Sequence, residues 1–298
     1  MLTLRGYNHT VEPNIAYLNG HFVPEEQAKL SLHDVGFTWG ATVVDRARTY
    51  NRKWLRLPAH LARFQRSCEL CRIPLPVLES ELTLLAEHLV DQNGPLTHPD
   101  DELSLVMFAT PGEGYANLGM HTAPVDGLRH RSLIERGARL VTAAARHVPA
   151  ECIPPQAKMR SRMFWWIAEQ QAHDIDPEAS ALLLDLSGHI TETAIANFVI
   201  VREGVVISPP RESILDGVSL RFVEELCGRL EIAFVEKWLR LEDCYDADEA
   251  LLTSTPFGVV GVAAVNGRPI PWPGPLLQRL HDAWSAEVGL DIWRGIRA

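Results

Sequence analysis

Gln156-Ala157-Lys158-Met159-Arg160-Ser161-Arg162-Met163-Phe164-Trp165-Trp166-Ile167-Ala168-Glu169 follows the breaker pair Pro154-Pro155 and places one lysine at the entrance of an apolar segment. Met159, Met163, Trp166 and Ile167 fall at i, i+4, i+7 and i+8, a spacing that predicts a buried helical stripe with Lys158 at or near the helix N-terminus. A positive charge is disfavoured there by the backbone dipole, and partial burial lowers a lysine pKa further. A lysine held partly neutral is what Schiff-base chemistry needs. From this stretch alone, a first-turn lysine with its ammonium in solvent is the ordinary reading, because most lysines are exposed.

Working outward, the 298 residues suffice for two domains with real cores, and 46% apolar and 22% charged residues are ordinary for a soluble globular protein. The net charge of −10 argues against nucleic acid as a partner. The richest basic stretch, Arg129 to Arg136, is short and interrupted by Glu135. No apolar run reaches the length of a membrane span, and Met1 to His9 lacks the apolar core of a signal peptide. Five scattered cysteines, an odd set, fit a reducing cytoplasm, and Cys68-Glu-Leu-Cys71 lies inside a helical pattern with no second CxxC to complete a metal site. No metal is expected.

Asn19-Gly20 reads as a hairpin turn between two short strands. Ser31 to Gly40 reads as a glycine-punctuated loop, Thr42 to Tyr50 as a strand, and Pro58 opens a helix carrying His60, Leu61, Arg63 and Phe64. A second helix runs from about Pro76 to Val90, and Glu102 to Ala109 is an apolar strand. Gly114 to Arg131 lacks periodicity and reads as a loop leading into a domain linker. Strands follow at Leu140 to Ala145, Ser180 to Leu186, Ile195 to Val201, Val205 to Ser208, Ile232 to Val235 and Ala250 to Ser254. Val259 to Val265 then turns back at Asn266-Gly267, and a last amphipathic helix carries Leu276, Leu280 and Trp284. The pattern is α+β, and the division is expected between residues 128 and 129, giving units 1–128 and 129–298.

Three features downstream of Lys158 suit a phosphorylated aromatic aldehyde. Asp216-Gly217-Val218-Ser219 opens a helix whose free N–H groups make an anion site, although an ordinary capped helix reads the same way. Thr253-Ser254-Thr255-Pro256 puts hydroxyls at a strand end. Thr191-Glu192-Thr193-Ala194-Ile195-Ala196-Asn197 brings a carboxylate into an apolar strand, where it could pair with a pyridine nitrogen or stand at an edge in solvent.

Lys158, Thr191-Glu192 with Asn197, Leu215-Asp-Gly-Val-Ser219 and Leu252-Thr-Ser-Thr255, in that order, resemble the class IV (fold-type IV) aminotransferases that use pyridoxal 5′-phosphate. That family includes branched-chain and D-amino acid aminotransferases, (R)-selective amine transaminases and aminodeoxychorismate lyases. Asn19-Gly20, Gly36-Phe-Thr-Trp-Gly40 running into Val43-Val44-Asp45, and His60-Leu-Ala-Arg63 resemble its N-terminal signature, so the similarity covers about Ile15 to Val265.

The resemblance implies a small N-terminal α/β domain, a larger C-terminal β-rich pseudo-barrel domain, the cofactor between them, and a homodimer. It implies that Lys158 forms the internal aldimine and moves a proton, and that Glu192 pairs with the pyridine nitrogen. Arg63, the Val218 and Ser219 amides, and the Ser219 and Thr255 side chains would hold the phosphate, with Leu215 beneath the ring. Amino transfer from an amino acid or amine to a 2-oxo acid is the activity implied. A lyase releasing pyruvate is the alternative, and a non-catalytic relative a third.

The substrate side is expected at Thr38, Asp45, Arg160 and Arg162. Departures from the family concentrate there. Met163 stands where a tyrosine is frequent, Asp45 replaces the commoner glutamate, Val44 replaces the aromatic before it, and Ala194-Ile195-Ala196 is more apolar than usual. Thr110 to Tyr115 also lacks the Arg and His with which the D-amino acid enzymes hold a carboxylate.

Overall fold

A computed structural model describes residues 14–98, 101–127 and 130–294. The readings of Met1 to His9 and of a division between residues 128 and 129 lie outside the described residues, as does Arg129 of the basic stretch.

The first unit begins with the hairpin β1 (Ile15–Leu18) and β2 (His21–Pro24). Asn19 and Gly20 both take positive φ, 51° and 89°, the combination that twists a two-residue turn to match its strands. The short helix α1 (Val35–Thr38) sits within the expected Ser31 to Gly40 loop, capped by the Asp34 side chain. Then come β3 (Val43–Tyr50), β4 (Lys53–Trp54), α2 (Leu57–Leu70), α3 (Glu79–Asn93), β5 (Leu103–Thr110) and β6 (Asn117–Pro124). The strands form one sheet in the order β2-β1-β6-β5-β3-β4. Leu57, Leu61 and Phe64 of α2, with Leu82 and Leu89 of α3, bury against Val43, Leu105 and Met107.

The sequence reads β6 as loop; it is an eight-residue strand paired along its whole length with β5. Gly119 lies opposite Phe108, and a Cβ there would stand 2.2 Å from the phenyl ring. The strand therefore needs a residue of low strand propensity at that point, while pairing with β5 and burial of Leu118 and Met120 supply the stability.

The second unit holds α4 (Arg131–Arg136), β7 (Ala138–Thr142), α5 (Met163–Ile175), β8 (Ser180–Leu184), β9 (Ile190–Thr193), β10 (Asn197–Arg202) and β11 (Val205–Ser208). It continues through α6 (Val218–Arg229), β12 (Phe234–Glu236), α7 (Leu241–Tyr245), β13 (Glu249–Ser254), β14 (Gly258–Val265), β15 (Arg268–Pro269) and α8 (Pro275–Val288). Strands β10-β13-β14-β7-β8-β9 form a ring that closes where Asn197 of β10 pairs with Glu192 of β9. β11 and β12 extend outward from β10, and β15 pairs with β14. Phe198, Phe222, Leu226, Val260, Leu280 and Trp284 belong to the main core of this unit. The two-unit α+β fold with a β-rich pseudo-barrel is the fold expected.

The helix of the opening stretch differs from its reading. α5 begins at Met163, five residues after Lys158, and the proposed stripe faces outward: Met163 is 70% and Trp166 64% exposed, and Ile167 is exposed too. Trp165, Ala168 and Ala172, at i, i+3 and i+7, are the buried face and pack on Val141, Ala181 and Leu183. The phase differs because the residues before Met163 are not helical, and residues 158–160 bond to the start of β3. Val44 N–H donates to the Lys158 carbonyl at 2.9 Å, Met159 bridges Val43, and Arg160 N–H donates to the Thr42 carbonyl at 2.8 Å. The lysine strip is thus an edge laid along β3, joining the two units.

No helix among the described residues is long and apolar enough to cross a membrane, and they contain no group of three or more His, Cys, Asp or Glu side chains placed to hold a metal ion.

Candidate active site between the two units

Lys158 lines a cleft together with Arg63, Arg162, Glu192, Leu215, Ser219 and Thr255. Each side chain arrives on a different element. Arg63 comes from the inner face of α2, Glu192 from β9, Leu215 from the segment before α6, Ser219 from the first turn of α6, and Thr255 from the end of β13. The Lys158 backbone is fixed from both sides: its N–H donates to Ser67 Oγ at 3.1 Å, and Ser67 Oγ–H donates to the Arg63 carbonyl at 2.8 Å. Burial, and then the positive charge of Arg63, lower the pKa of the Lys158 ammonium to about 8. The helix dipole invoked from sequence is not the cause, because no helix starts at this residue.

Glu192 is buried, with 7% exposure, and is held by defined donors. Asn197 Nδ2 donates to Oε2 at 2.9 Å and the Leu215 N–H donates to Oε1 at 3.2 Å. Asn197 Nδ2 also donates to the Leu215 carbonyl at 2.9 Å, tying the strand to the segment that floors the cleft. The edge glutamate in solvent is therefore not what the fold makes. Glu192 sits in its own short strand, β9, and Ala194 to Ala196 form the bend before β10 rather than the strand start expected at Ile195.

At the other end, α6 begins at Val218 after Gly217. The first amides of a helix have no acceptor within it, and they carry the positive end of its dipole. Those of Val218 and Ser219, with the Ser219 and Thr255 hydroxyls on the same cleft wall, form a cradle for an anion. Arg63 adds the charge. Its Nε donates to Asp45 Oδ2 and its Nη2 to Asp45 Oδ1, both at 2.8 Å, while Nη1 reaches the Asp216 carbonyl at 3.4 Å. Thr253 and Ser254 line the cleft too, but their hydroxyls are engaged: Thr253 donates to the Gly258 carbonyl and Ser254 to the Ile195 carbonyl.

Of the four residues expected at the substrate, the fold brings one into the cleft wall. Arg162 lines the cleft and donates to the Ala194 carbonyl. Arg160 is exposed, with its guanidinium carbon 5.9 Å from the centre of the Phe108 ring. Thr38 is an exposed residue of α1 whose hydroxyl donates to the Asp34 carbonyl. Asp45 is 0% exposed, so no substrate reaches its carboxylate; it carries Arg63 and accepts from His60 Nδ1 at 2.9 Å. Its side chain lands inside because β3 alternates faces and position 45 points toward α2. Burial alone would raise the Asp45 pKa, but Arg63 and His60 outweigh it and the carboxyl is held below its ordinary value. Burial lowers the His60 pKa, so a neutral imidazole donates Nδ1–H to Asp45.

The sequence reading assigned no part to Ser67, His60 or the Asn197 amide. His60 and Asn197 belong to the stretches that carry the family resemblance, and Ser67 and His60 share a face of α2 with Arg63 at i+4 and i−3; the part Asn197 plays appears only once β9 and β10 are paired.

The donor set fits an aromatic ligand with a phosphate at one end and a basic ring nitrogen at the other: an anion cradle, a buried carboxylate and an amine of lowered pKa line one cleft. The family described as Amino-transferase class IV matches residues 42–265. A Methanocaldococcus jannaschii protein provisionally named a branched-chain-amino-acid aminotransferase is 30% identical over 263 residues, 85% of this chain and 88% of that one. A D-alanine aminotransferase of Staphylococcus epidermidis is 24% identical over 84% of this chain and 89% of its own length. A branched-chain amino acid aminotransferase from T.th., solved with N-(5′-phosphopyridoxyl)-L-glutamate, superposes with a TM-score of 0.84 at 25% identity, covering 93% of this chain and 95% of that one.

Proposed function

The chain belongs to the class IV aminotransferase family, and on that premise we propose how its own residues carry an amino group from an amino acid or amine to a 2-oxo acid. When bound, pyridoxal 5′-phosphate supplies an aldehyde that condenses with amines and a ring that takes up electrons. Arg63, the Val218 and Ser219 amides and the Ser219 and Thr255 hydroxyls would hold its phosphate. Glu192 would hold the proton on its ring nitrogen, and Leu215 would give the ring an apolar contact.

Lys158 would be the amine that meets the aldehyde and the base that moves a proton from the donor's α-carbon. With a pKa of about 8, roughly a tenth of it is neutral at pH 7, enough to attack and to accept a proton without a second base. Asp45 acts through Arg63 and does not meet the substrate. Arg162, in the cleft wall, is the candidate for the substrate carboxylate.

The observation that carries this reading is that one cleft is lined by a lysine of lowered pKa, a buried glutamate and a helix start. Its test is absorbance and turnover. Added pyridoxal phosphate gives a visible band in the wild type that Lys158→Ala lacks, and an amino donor plus 2-oxoglutarate gives amino transfer. A lyase releases pyruvate with no acceptor present, and a band in Lys158→Ala equal to wild type sinks the assignment.

The homodimer and the cytoplasmic location belong to the same proposal. Phe37, Trp39, Met163 and Trp166 are large, apolar and exposed, the kind of surface a second copy covers. The five thiols are unpaired, in keeping with a reducing compartment.

A further inference from the structure

Arg48 leaves β3 on the face opposite to Asp45, because strand residues alternate, and that face meets the second unit. Tyr50, two residues on, belongs to the core of the second unit. Arg48 is 4% exposed. Its Nε donates to the Thr49 carbonyl at 3.2 Å and its Nη1 to the Pro256 carbonyl at 2.7 Å, while its guanidinium carbon stands 4.0 Å from the centre of the Tyr50 ring. All of these partners are neutral. Among the described residues no carboxylate forms an ion pair with Arg48. Glu102, beside β3, is engaged instead by the Thr49 hydroxyl and the Asn51 and Arg52 amides.

Arg48 also lines a small cavity with Arg56, His60, Val218, Ser219 and Thr255. Val218, Ser219 and Thr255 line the cleft as well, and they are the residues of the anion cradle. The cradle is thus a shared wall, with the cleft before it and Arg48 behind it. The Pro256 carbonyl that Arg48 holds belongs to the residue after Thr255.

Charge decides what Arg48 does there. A bound phosphate monoester carries about −1.5 to −2 at pH 7. Asp45 aims the Arg63 guanidinium and at the same time offsets its charge. The cradle amides and hydroxyls are dipoles. Arg56 is paired with Glu225, and His60 is neutral. Arg48 is the buried cation at this wall that no carboxylate offsets, and a buried charge without a counter-ion is costly.

We propose that Arg48 is the counter-charge of the ligand's phosphate, a positioning residue that acts through the cradle wall without touching the ligand. This rests on the cofactor reading above. A phosphate in the cradle gives the guanidinium the anion that the fold does not supply. The two carbonyls and the Tyr50 ring hold the guanidinium in place, so little ordering is left to binding.

The experiment compares pyridoxal phosphate with pyridoxal on the full chain, since the two differ only in the phosphate. In Arg48→Met the affinity for pyridoxal phosphate falls at least about fivefold more than that for pyridoxal, the effect of a unit charge screened as near a protein surface. Arg48→Gln, which keeps a donor for the Pro256 carbonyl but no charge, shows the same loss. Arg48→Lys, which keeps the charge, retains most of the difference. Gln and Lys variants that lose alike, or a Gln variant equal to wild type, overturn the proposal, because the residue then only shapes the turn. Inorganic phosphate alone gives a second reading: it raises the melting temperature of the wild type and of Arg48→Lys, and raises that of Arg48→Gln less. A wild type that does not respond, or responses that are equal, refute the role. Where Arg48→Met fails to fold, the Gln and Lys variants decide. A failure of the cofactor reading is distinguishable, since it shows as a visible band independent of Lys158 and leaves the inorganic phosphate result standing.

Discussion

Gly217→Ala tests whether the Glu192 carboxylate is positioned by Asn197. Gly217 is buried, with φ −68° and ψ 130°, a conformation alanine adopts freely, so no backbone strain enters. A Cβ at this position would stand 2.0 Å from Asn197 Oδ1, and the amide has to move. Two hydrogen bonds go with it: one to the Glu192 carboxylate and one to the Leu215 carbonyl. A bond to a charged group contributes about 1.5–3 kcal/mol and a neutral one about 0.5–1.5 kcal/mol. Alanine in place of glycine restricts the unfolded chain by about 0.4–1 kcal/mol, and its poorer performance at a helix N-cap, about 0.5 kcal/mol, nearly cancels that gain.

The expected loss is therefore about 2–4 kcal/mol, together with weaker pyridoxal phosphate binding because Glu192 is released. Urea unfolding of wild type, Gly217→Ala, Asn197→Ala and the double variant measures it as a cycle. In the Asn197→Ala background Gly217→Ala should lie within about 0.5 kcal/mol of neutral. Equal costs in both backgrounds would refute the reasoning, because the methyl would then be acting on something other than the amide.

Two more expectations concern groups at the cleft, and a third concerns the sheet of the first unit. Lys158→Met stabilises the protein at pH 7, where the wild type holds a partly buried ammonium. Because the folded pKa is depressed to about 8, that penalty is present below 8 and is relieved as pH rises toward the ordinary lysine range, so the gain shrinks in urea titrations at alkaline pH. Asp45→Asn leaves Arg63 without its buried partner and costs about 3–5 kcal/mol in unfolding free energy, with loss of phosphate affinity. The Asp45 pKa is lowered in the fold, so its contribution is present above the ordinary carboxylate range and is lost only as pH falls below it; a variant as acid-stable as it is neutral-stable relative to wild type contradicts this. Gly119→Ala forces the Phe108 ring off its seat on β6 and costs about 1–3 kcal/mol, read as a lower urea midpoint; an unchanged midpoint shows that the ring has room to move.

Strands with strong β propensity and helices with clear breakers were legible: β3, β5, α2 and α6 lie within a few residues of where apolar runs, Pro58 and Asp216-Gly217 put them. β6 was not, because its glycine and its alternation make sense only opposite Phe108. The α5 stripe was misphased because periodicity assumes a helix running through Met159, whereas residues 158–160 spend their backbone hydrogen bonds on β3. The chemistry-bearing types Lys158, Glu192, Arg63 and Ser219 stood out as residues, yet whether each was solvated or buried did not.

The sequence by itself determined the inventory: one lysine after a breaker, one glutamate before an apolar strand, one helix start with a serine, and their order along the chain. Local spacing carries that much because helix starts and turns are set by neighbouring residues. The tertiary structure decided what the inventory does. The Lys158 pKa falls through burial and the nearness of Arg63, 95 positions away in the chain. Asp45 becomes the anchor of Arg63 because packing of β3 on α2 removes it from solvent. Desolvation and Coulomb interaction depend on distance through space, and only the folded chain fixes those distances.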